Sequence, residues 1–143
     1  MAVKARVLVG PHPANATEGM ALHITDPISF WGGISPETGR VTDTRSAQHG
    51  QCTSGTVLFI RDLRGSSSAS SVLLELIFRR LAPAAIVLHE PDAILALGAL
   101  VARELGWDAP PILRLPAHQQ ADFPNGVRVS VAENGELERS HAT

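Results

Sequence analysis

Apolar positions run through the chain in two rhythms, and the change comes near Gln51. Before it they arrive in short bursts. The first burst, Ala5 to Val9, predicts a strand that ends at Gly10-Pro11-His12-Pro13, where proline cannot donate to a ladder. Met20 to Ile24 and Ile28 to Trp31 follow, set apart by the turn signals Asp26-Pro27, Gly32-Gly33 and Pro36-Glu37-Thr38-Gly39. Residues 19 to 39 therefore read as short strands and structured loops, not helix. After Gln51 strands and helices alternate. Thr56 to Ile60 has the unbroken apolar run of a buried strand, and Ser71 to Leu81 has helical spacing (73, 76, 77 and 74, 78, 81) with Arg79-Arg80 in its last turn. Ile86 to Leu88 is the next strand. Asp92 to Leu105 predicts a second helix, with Asp92 near its N-cap and Gly106 just past its end. Ile112 to Leu115 reads as a third strand, and Val127 to Val131 with Glu136 to Glu138 form a hairpin around Asn134-Gly135.

Strand, helix, strand, helix, strand at these spacings predicts right-handed parallel crossovers, with an antiparallel β portion added from the N-terminal third. The class is α/β, and residues 1 to 143 read as one domain with a frayed tail over 140 to 143. The second helix is apolar nearly all round, from Ala93 to Ala102, so the side facing away from the sheet also needs cover. Either a partner subunit or the N-terminal strands could supply it.

Composition narrows the partners. Of 143 residues 44% are hydrophobic and 18% charged, the balance of a chain that folds, and the formal net charge is −2. No basic field is present for nucleic acid or for a membrane surface. No stretch approaches a bilayer span, and no basic-then-apolar leader opens the chain, so a cytoplasmic location is expected. Asn15-Ala16-Thr17 then matches a glycosylation acceptor by chance. Cys52 is the single cysteine, so no internal disulfide forms and this chain alone cannot supply the thiolates of an iron–sulfur cluster. Lys4 is the only lysine, which limits Schiff-base chemistry to that position. The six histidines, at 12, 23, 49, 89, 118 and 141, fit no zinc spacing. His89 lies between a strand and a helix, where local hydrogen bonds can satisfy it.

The most informative stretch is Arg61-Asp62-Leu63-Arg64-Gly65-Ser66-Ser67-Ser68, which leads from a strand into a helix. Free N–H groups and the positive dipole at a helix start, Gly65 for close approach, serine hydroxyls and the Arg64 charge together outline an anion site. The loop also lies at the carboxyl end of a strand, where open α/β sheets place ligands. A second reading stands beside this one: serines are preferred N-caps, and a Gly/Ser run can be only a connection. Serine can take a proton from carbon only where donors stabilise its alkoxide.

Gly65-Ser66-Ser67 at a strand-to-helix turn resembles the swivelling β/β/α domain of the aconitase superfamily, whose central sheet is partly parallel and flanked by helices. More specifically, six blocks between residues ~19 and ~115 resemble, in order, the small domain of aconitase X. They are Ile28-Ser29-Phe30-Trp31-Gly32-Gly33, Pro36-Glu37-Thr38-Gly39-Arg40, His49-Gly50-Gln51, Arg64-Gly65-Ser66-Ser67, Ala82-Pro83-Ala84-Ala85-Ile86 and Glu90-Pro91-Asp92-Ala93-Ile94-Leu95-Ala96-Leu97-Gly98. The resemblance implies a hydro-lyase small subunit with Ser66 as catalytic base and a larger subunit carrying the iron–sulfur cluster. It implies a small anionic substrate, cis-3-hydroxy-L-proline or mevalonate 5-phosphate; the arginine-rich, lysine-poor composition leans bacterial and so to hydroxyproline. Ser68 stands where ordinary aconitases have a substrate-gripping arginine, as in the X branch.

Around Ser66 the expected contacts are Arg64, Gly65, Ser67 and Ser68, with Trp31, Gly32 and Gly33 as a covering loop that excludes water. The aromatic pair could equally anchor a turn to the core. Arg40 and Asp43 are expected to fix that loop or to form a surface ion pair, and Cys52 to be a small buried thiol. A function of another class, a non-catalytic binding or carrier module, would want an exposed histidine in the loop, and residues 61 to 71 contain none.

Overall fold

The computed structural model describes residues 2 to 11 and 17 to 140. His12, Asn15 and the tail beyond Ser140 lie outside the described residues. The elements are β1 (Ala2–Lys4), β2 (Arg6–Val9), β3 (Thr17–Ile24), α1 (Phe30–Gly33), β4 (Val57–Ile60), α2 (Ala69–Phe78), β5 (Ala85–Leu88), α3 (Ala93–Glu104), β6 (Ile112–Arg114), α4 (Ala117–Gln120), β7 (Arg128–Val131) and β8 (Glu136–Arg139). The strands make an eight-stranded sheet in the order β1-β8-β7-β3-β4-β5-β6-β2.

Parallel pairing joins β3, β4, β5 and β6. Every residue of Val57-Leu58-Phe59-Ile60 and of Ala85-Ile86-Val87-Leu88 is buried, because both faces of a parallel sheet are covered. The side chains alternate between two cores. Leu58, Ile60, Ile86 and Leu88 meet Leu73, Leu76, Leu95 and Ala99 of α2 and α3, whereas Val57, Phe59, Ala85 and Val87 meet Phe123, Val129 and Leu137.

β3 joins the two halves of the sheet. Its last four residues pair in parallel with Val57–Ile60, and its first four pair antiparallel with Val131–Arg128. The N-terminal third supplies antiparallel strands as expected, β1 to β8, β2 to β6 and the first half of β3 to β7, and the C-terminal hairpin β7–β8 completes that portion. β1 and β2 part at Ala5: one joins β8 and the other β6, the two ends of the strand order.

Two further expectations change. Ile28 to Trp31 is no strand: Ile28 makes a single bridge to Leu63, and Phe30–Gly33 is a kinked helical turn. α2 starts at Ala69 and stops before Arg79-Arg80. Arg80 takes a left-handed φ of 59°, and the Leu81 N–H donates to the Leu76 carbonyl, which closes the helix as a glycine cap would.

α3 is capped as expected, with Asp92 Oδ1 accepting from the Leu95 N–H at 2.9 Å and Gly106 at φ 77° beyond its end. It crosses α2 closely. A Cβ on Gly98 would lie 3.0 Å from the Ser70 carbonyl oxygen, so glycine sets the helix separation there. The N-terminal strands do not cover the outer side of α3, and Leu97, Leu100 and Leu105 are 55%, 48% and 55% exposed.

Candidate active site

The carboxyl ends of β3 to β6 face one edge, and the loops that leave them hold most of the residues singled out from the sequence. They run over residues 25 to 33, 61 to 68, 89 to 92 and 115 to 117. Two loops are joined by backbone: the Ile28 N–H donates to the Asp62 carbonyl at 3.1 Å, and the Arg64 N–H donates to the Ile28 carbonyl at 2.8 Å. This ties Ile28, which leads into the Trp31 turn, to the start of the serine loop.

Ser66 is half-buried, three residues before α2. Its Oγ accepts the Ser68 N–H at 3.2 Å, and its carbonyl accepts the Ala69 N–H at 3.1 Å. Both sequence readings thus meet in one geometry. The Ser66 hydroxyl ends the loop as a local cap, and the same N–H would stabilise an anionic oxygen. Ser68 occupies the N-cap position but makes no side-chain cap. Ser67 is exposed and Ser68 half-buried, which leaves their hydroxyls available to a ligand.

Arg64 is exposed, and its charge helps hold the Asp43 carboxyl below its ordinary range, after the larger effect of hydrogen bonds from Arg45. Gly65 meets no obstacle: a Cβ there would touch only Asp92 Oδ2, at 3.8 Å. Asp92, singled out from the sequence only as a helix cap, thereby lies against the serine loop.

The aromatic pair divides its roles. Phe30 is fully buried and anchors the turn, while Trp31 is 64% exposed above it. Gly32 has φ 79° with open space around it, whereas a Cβ on Gly33 would come within 2.7 Å of Ile28 Cγ1. Gly33 is there to fit over a buried isoleucine. Arg40 and Asp43 do not pair: Arg40 Nη1 donates to the Gly50 carbonyl and Asp43 pairs with Arg45. The loop is fixed instead by Thr42, whose N–H and hydroxyl donate to the Gly33 and Gly32 carbonyls.

Cys52 is exposed and not a buried thiol, because it sits on a bridge to Arg40 outside the core. A hydrogen bond from Ser54 lowers its pKa. His89 is satisfied not by its own loop but by the start of α4, with Nδ1 accepting the Ala117 N–H at 2.9 Å. Two residues escaped the sequence reading. Gln120 is buried and its Nε2 donates to the Ile60 and Leu115 carbonyls, which ties the ends of β4 and β6 together beneath the site. The Ser29 hydroxyl is buried without a hydrogen-bond partner at the root of the Trp31 turn. Neither stood in a pattern that marks polar burial.

No group of three or more His, Cys, Asp or Glu side chains able to hold a metal ion occurs among the described residues. With one exposed cysteine, the donors present do not fit an iron–sulfur cluster. A concavity of about 720 Å³ opens at the opposite edge between Phe78, Trp107 and Pro111. It holds none of the serine-loop residues.

Fold and strand order together define an α/β domain of the swivelling type, with the serine loop at the carboxyl edge of its sheet. The chain belongs to the aconitase X swivel domain family, whose description matches residues 3–139. It is 48% identical over 99 residues to cis-3-hydroxy-L-proline dehydratase of Pseudomonas aeruginosa, a match over 69% of this chain but 17% of that protein. It is 34% identical to the phosphomevalonate dehydratase small subunit of Thermococcus kodakarensis, over 96% of each. Against the crystal structure of Thermococcus kodakaraensis aconitase X in its holo form the TM-score is 0.82, at 32% identity over 99% of both chains. The chain thus spans about a sixth of the Pseudomonas relative. It covers 64% of another, the phosphomevalonate dehydratase small subunit of Methanothermobacter thermautotrophicus.

Proposed function

We propose that this chain is a single-domain small subunit of an aconitase X type dehydratase, and that Ser66 is the group that takes the carbon-bound proton of a small hydroxy acid. The observation that carries the proposal is the Ser66 Oγ, half-buried at the carboxyl edge of the sheet and accepting the Ser68 N–H. That N–H, with the dipole of α2, lowers the cost of an alkoxide at this oxygen. Arg64, Ser67 and Ser68 would hold the substrate anion, with Gly65 leaving room beside them and Trp31, Gly32 and Gly33 closing over it. The iron–sulfur cluster and the remaining contacts would belong to a large subunit in the cytoplasm, because the donors here do not fit one.

The substrate we favour is cis-3-hydroxy-L-proline, supported by the 48% identity to the Pseudomonas dehydratase. Mevalonate 5-phosphate is the second reading. It is favoured by the match over 96% of each chain to a phosphomevalonate dehydratase small subunit.

Ser66→Ala tests the assignment in the assembled enzyme. Turnover should fall by ~10² or more while substrate binding and assembly persist. If the residue were only a cap, the variant would lose ~1 kcal/mol of stability and keep its rate. Offering each substrate to the same enzyme decides between hydroxyproline and phosphomevalonate.

A further inference from the structure

The outer side of α3 is an apolar face with no cover among the described residues. Ile94, Leu97, Leu100, Val101 and Leu105 are all exposed, between 37% and 55%. At 3.6 residues per turn they share an arc of about 140°, in which exposed Glu104, at the last turn, is the one charged residue. The other side of the helix, Leu95, Gly98, Ala99 and Ala102, is buried against α2 and the sheet. An apolar arc this wide on a surface helix is a contact surface in want of a partner.

Area decides between occupants. α3 has 12 residues and so is about 18 Å long and 10 Å wide. A two-fold pair of such helices would bury roughly 400 Å² in total, well under the ~1,000 Å² that a stable interface needs. A second copy of this chain seated on α3 alone is therefore too small an interface. A larger chain that reaches both this face and the nearby edge of the sheet is not.

The same helix begins at that edge. Asp92, its cap, lies against Gly65 of the serine loop. A chain completing the site beside Ser66 must pass the start of α3, and its cover can continue down the exposed face. The Pseudomonas relative carries this domain as 17% of a longer protein, so in that protein a much larger body of chain is attached to it. We infer that the Ile94–Leu105 face of α3 is the seat of the large subunit, which buries it and completes the site at Ser66 in one interface. This rests on the two-subunit reading above.

The test co-expresses the full chain, tagged, with the large aconitase X subunit of the same genome, and compares wild type with Leu97→Glu/Leu100→Glu and with the milder Leu97→Ala/Leu100→Ala. Both pairs are solvent-exposed, so the isolated chains should keep their circular dichroism and melting temperature. Recovery of the large subunit should fall tenfold or more with the glutamates and less with the alanines, and Ser66→Ala should leave it unchanged. Full recovery with the glutamate pair would overturn the α3 seat while leaving the two-subunit reading intact. Failure of wild type to retain any large subunit would overturn that reading itself. A wild-type chain that sediments as a dimer, and becomes a monomer in the glutamate pair, would give the face to a second copy and overturn the inference too. If the glutamate pair lowers the melting temperature, the alanine pair and hydrogen exchange along α3 in the wild-type complex decide; an α3 that gains no protection on assembly refutes the seat.

Discussion

Ser29 and Gly33 show how a few atoms set the Trp31 turn. The Ser29 hydroxyl is buried with no partner, and an unmet buried polar group costs about 1–3 kcal/mol. Ser29→Ala should therefore raise the stability of the isolated chain, by ~1 kcal/mol in a urea titration; a loss would mean that the hydroxyl holds a water. The two glycines beside it should respond differently to alanine. At Gly33 the new methyl meets fully buried Ile28 at 2.7 Å, which predicts a loss of about 1–3 kcal/mol. At Gly32 there is open space, so the cost is only that of a left-handed backbone, ~1 kcal/mol. The order of the two urea midpoints checks this.

The helices carry the site through their starts and their crossing. Asp92 caps α3 with its Oδ1, and Asp92→Ala should cost ~1 kcal/mol of thermal stability. A Cβ on Gly98 would lie 3.0 Å from the Ser70 carbonyl oxygen, and Ser70 is the second residue of α2, just beyond the serine loop. Backbone cannot yield as a side-chain tip can. Gly98→Val should therefore push the helices apart, with a loss of about 1–3 kcal/mol and a shift of the Ser66 loop. In the assembled enzyme kcat should drop more than the affinity for substrate; a stable variant with unchanged kcat would show that the crossing does not place Ser66.

At the scale of the whole molecule the join between the parallel and antiparallel halves runs along β3. Glu18 on β3 accepts from Arg128 on β7 and from Ser140 beyond β8. The hydrogen bond from Arg128, and next that from Ser140, hold the Glu18 carboxyl below its ordinary range. The folded pKa is thus depressed, so its contribution to stability is present above the unfolded value of about 4.3 and is lost as pH falls through the folded value. Glu18→Gln should give a shallower acid-side loss of stability than wild type, measured by thermal melts from pH 6 to 3. The effect is small because the pair is open to solvent. Equal slopes would remove Glu18 from that pH dependence.

Local pattern determined much of this protein. The buried strands Val57–Ile60 and Ala85–Leu88, the helix over Ala93–Glu104 with its Asp92 cap, and the hairpin at Gly135 were all legible because their signals lie within a few neighbouring residues. The serine loop was legible for the same reason, as was the apolar excess of α3. Tertiary structure alone decided the rest. Which strands β1 and β2 would join, that β3 would serve both halves of the sheet, that Phe30 would be buried and Trp31 exposed, and that Gln120 would brace two strand ends all depend on partners distant in sequence. Cys52 turned out exposed, and Arg40 turned from Asp43 to the Gly50 carbonyl, for the same reason. Periodicity specifies which face of an element is apolar, but what that face meets is set by the packing of the whole chain.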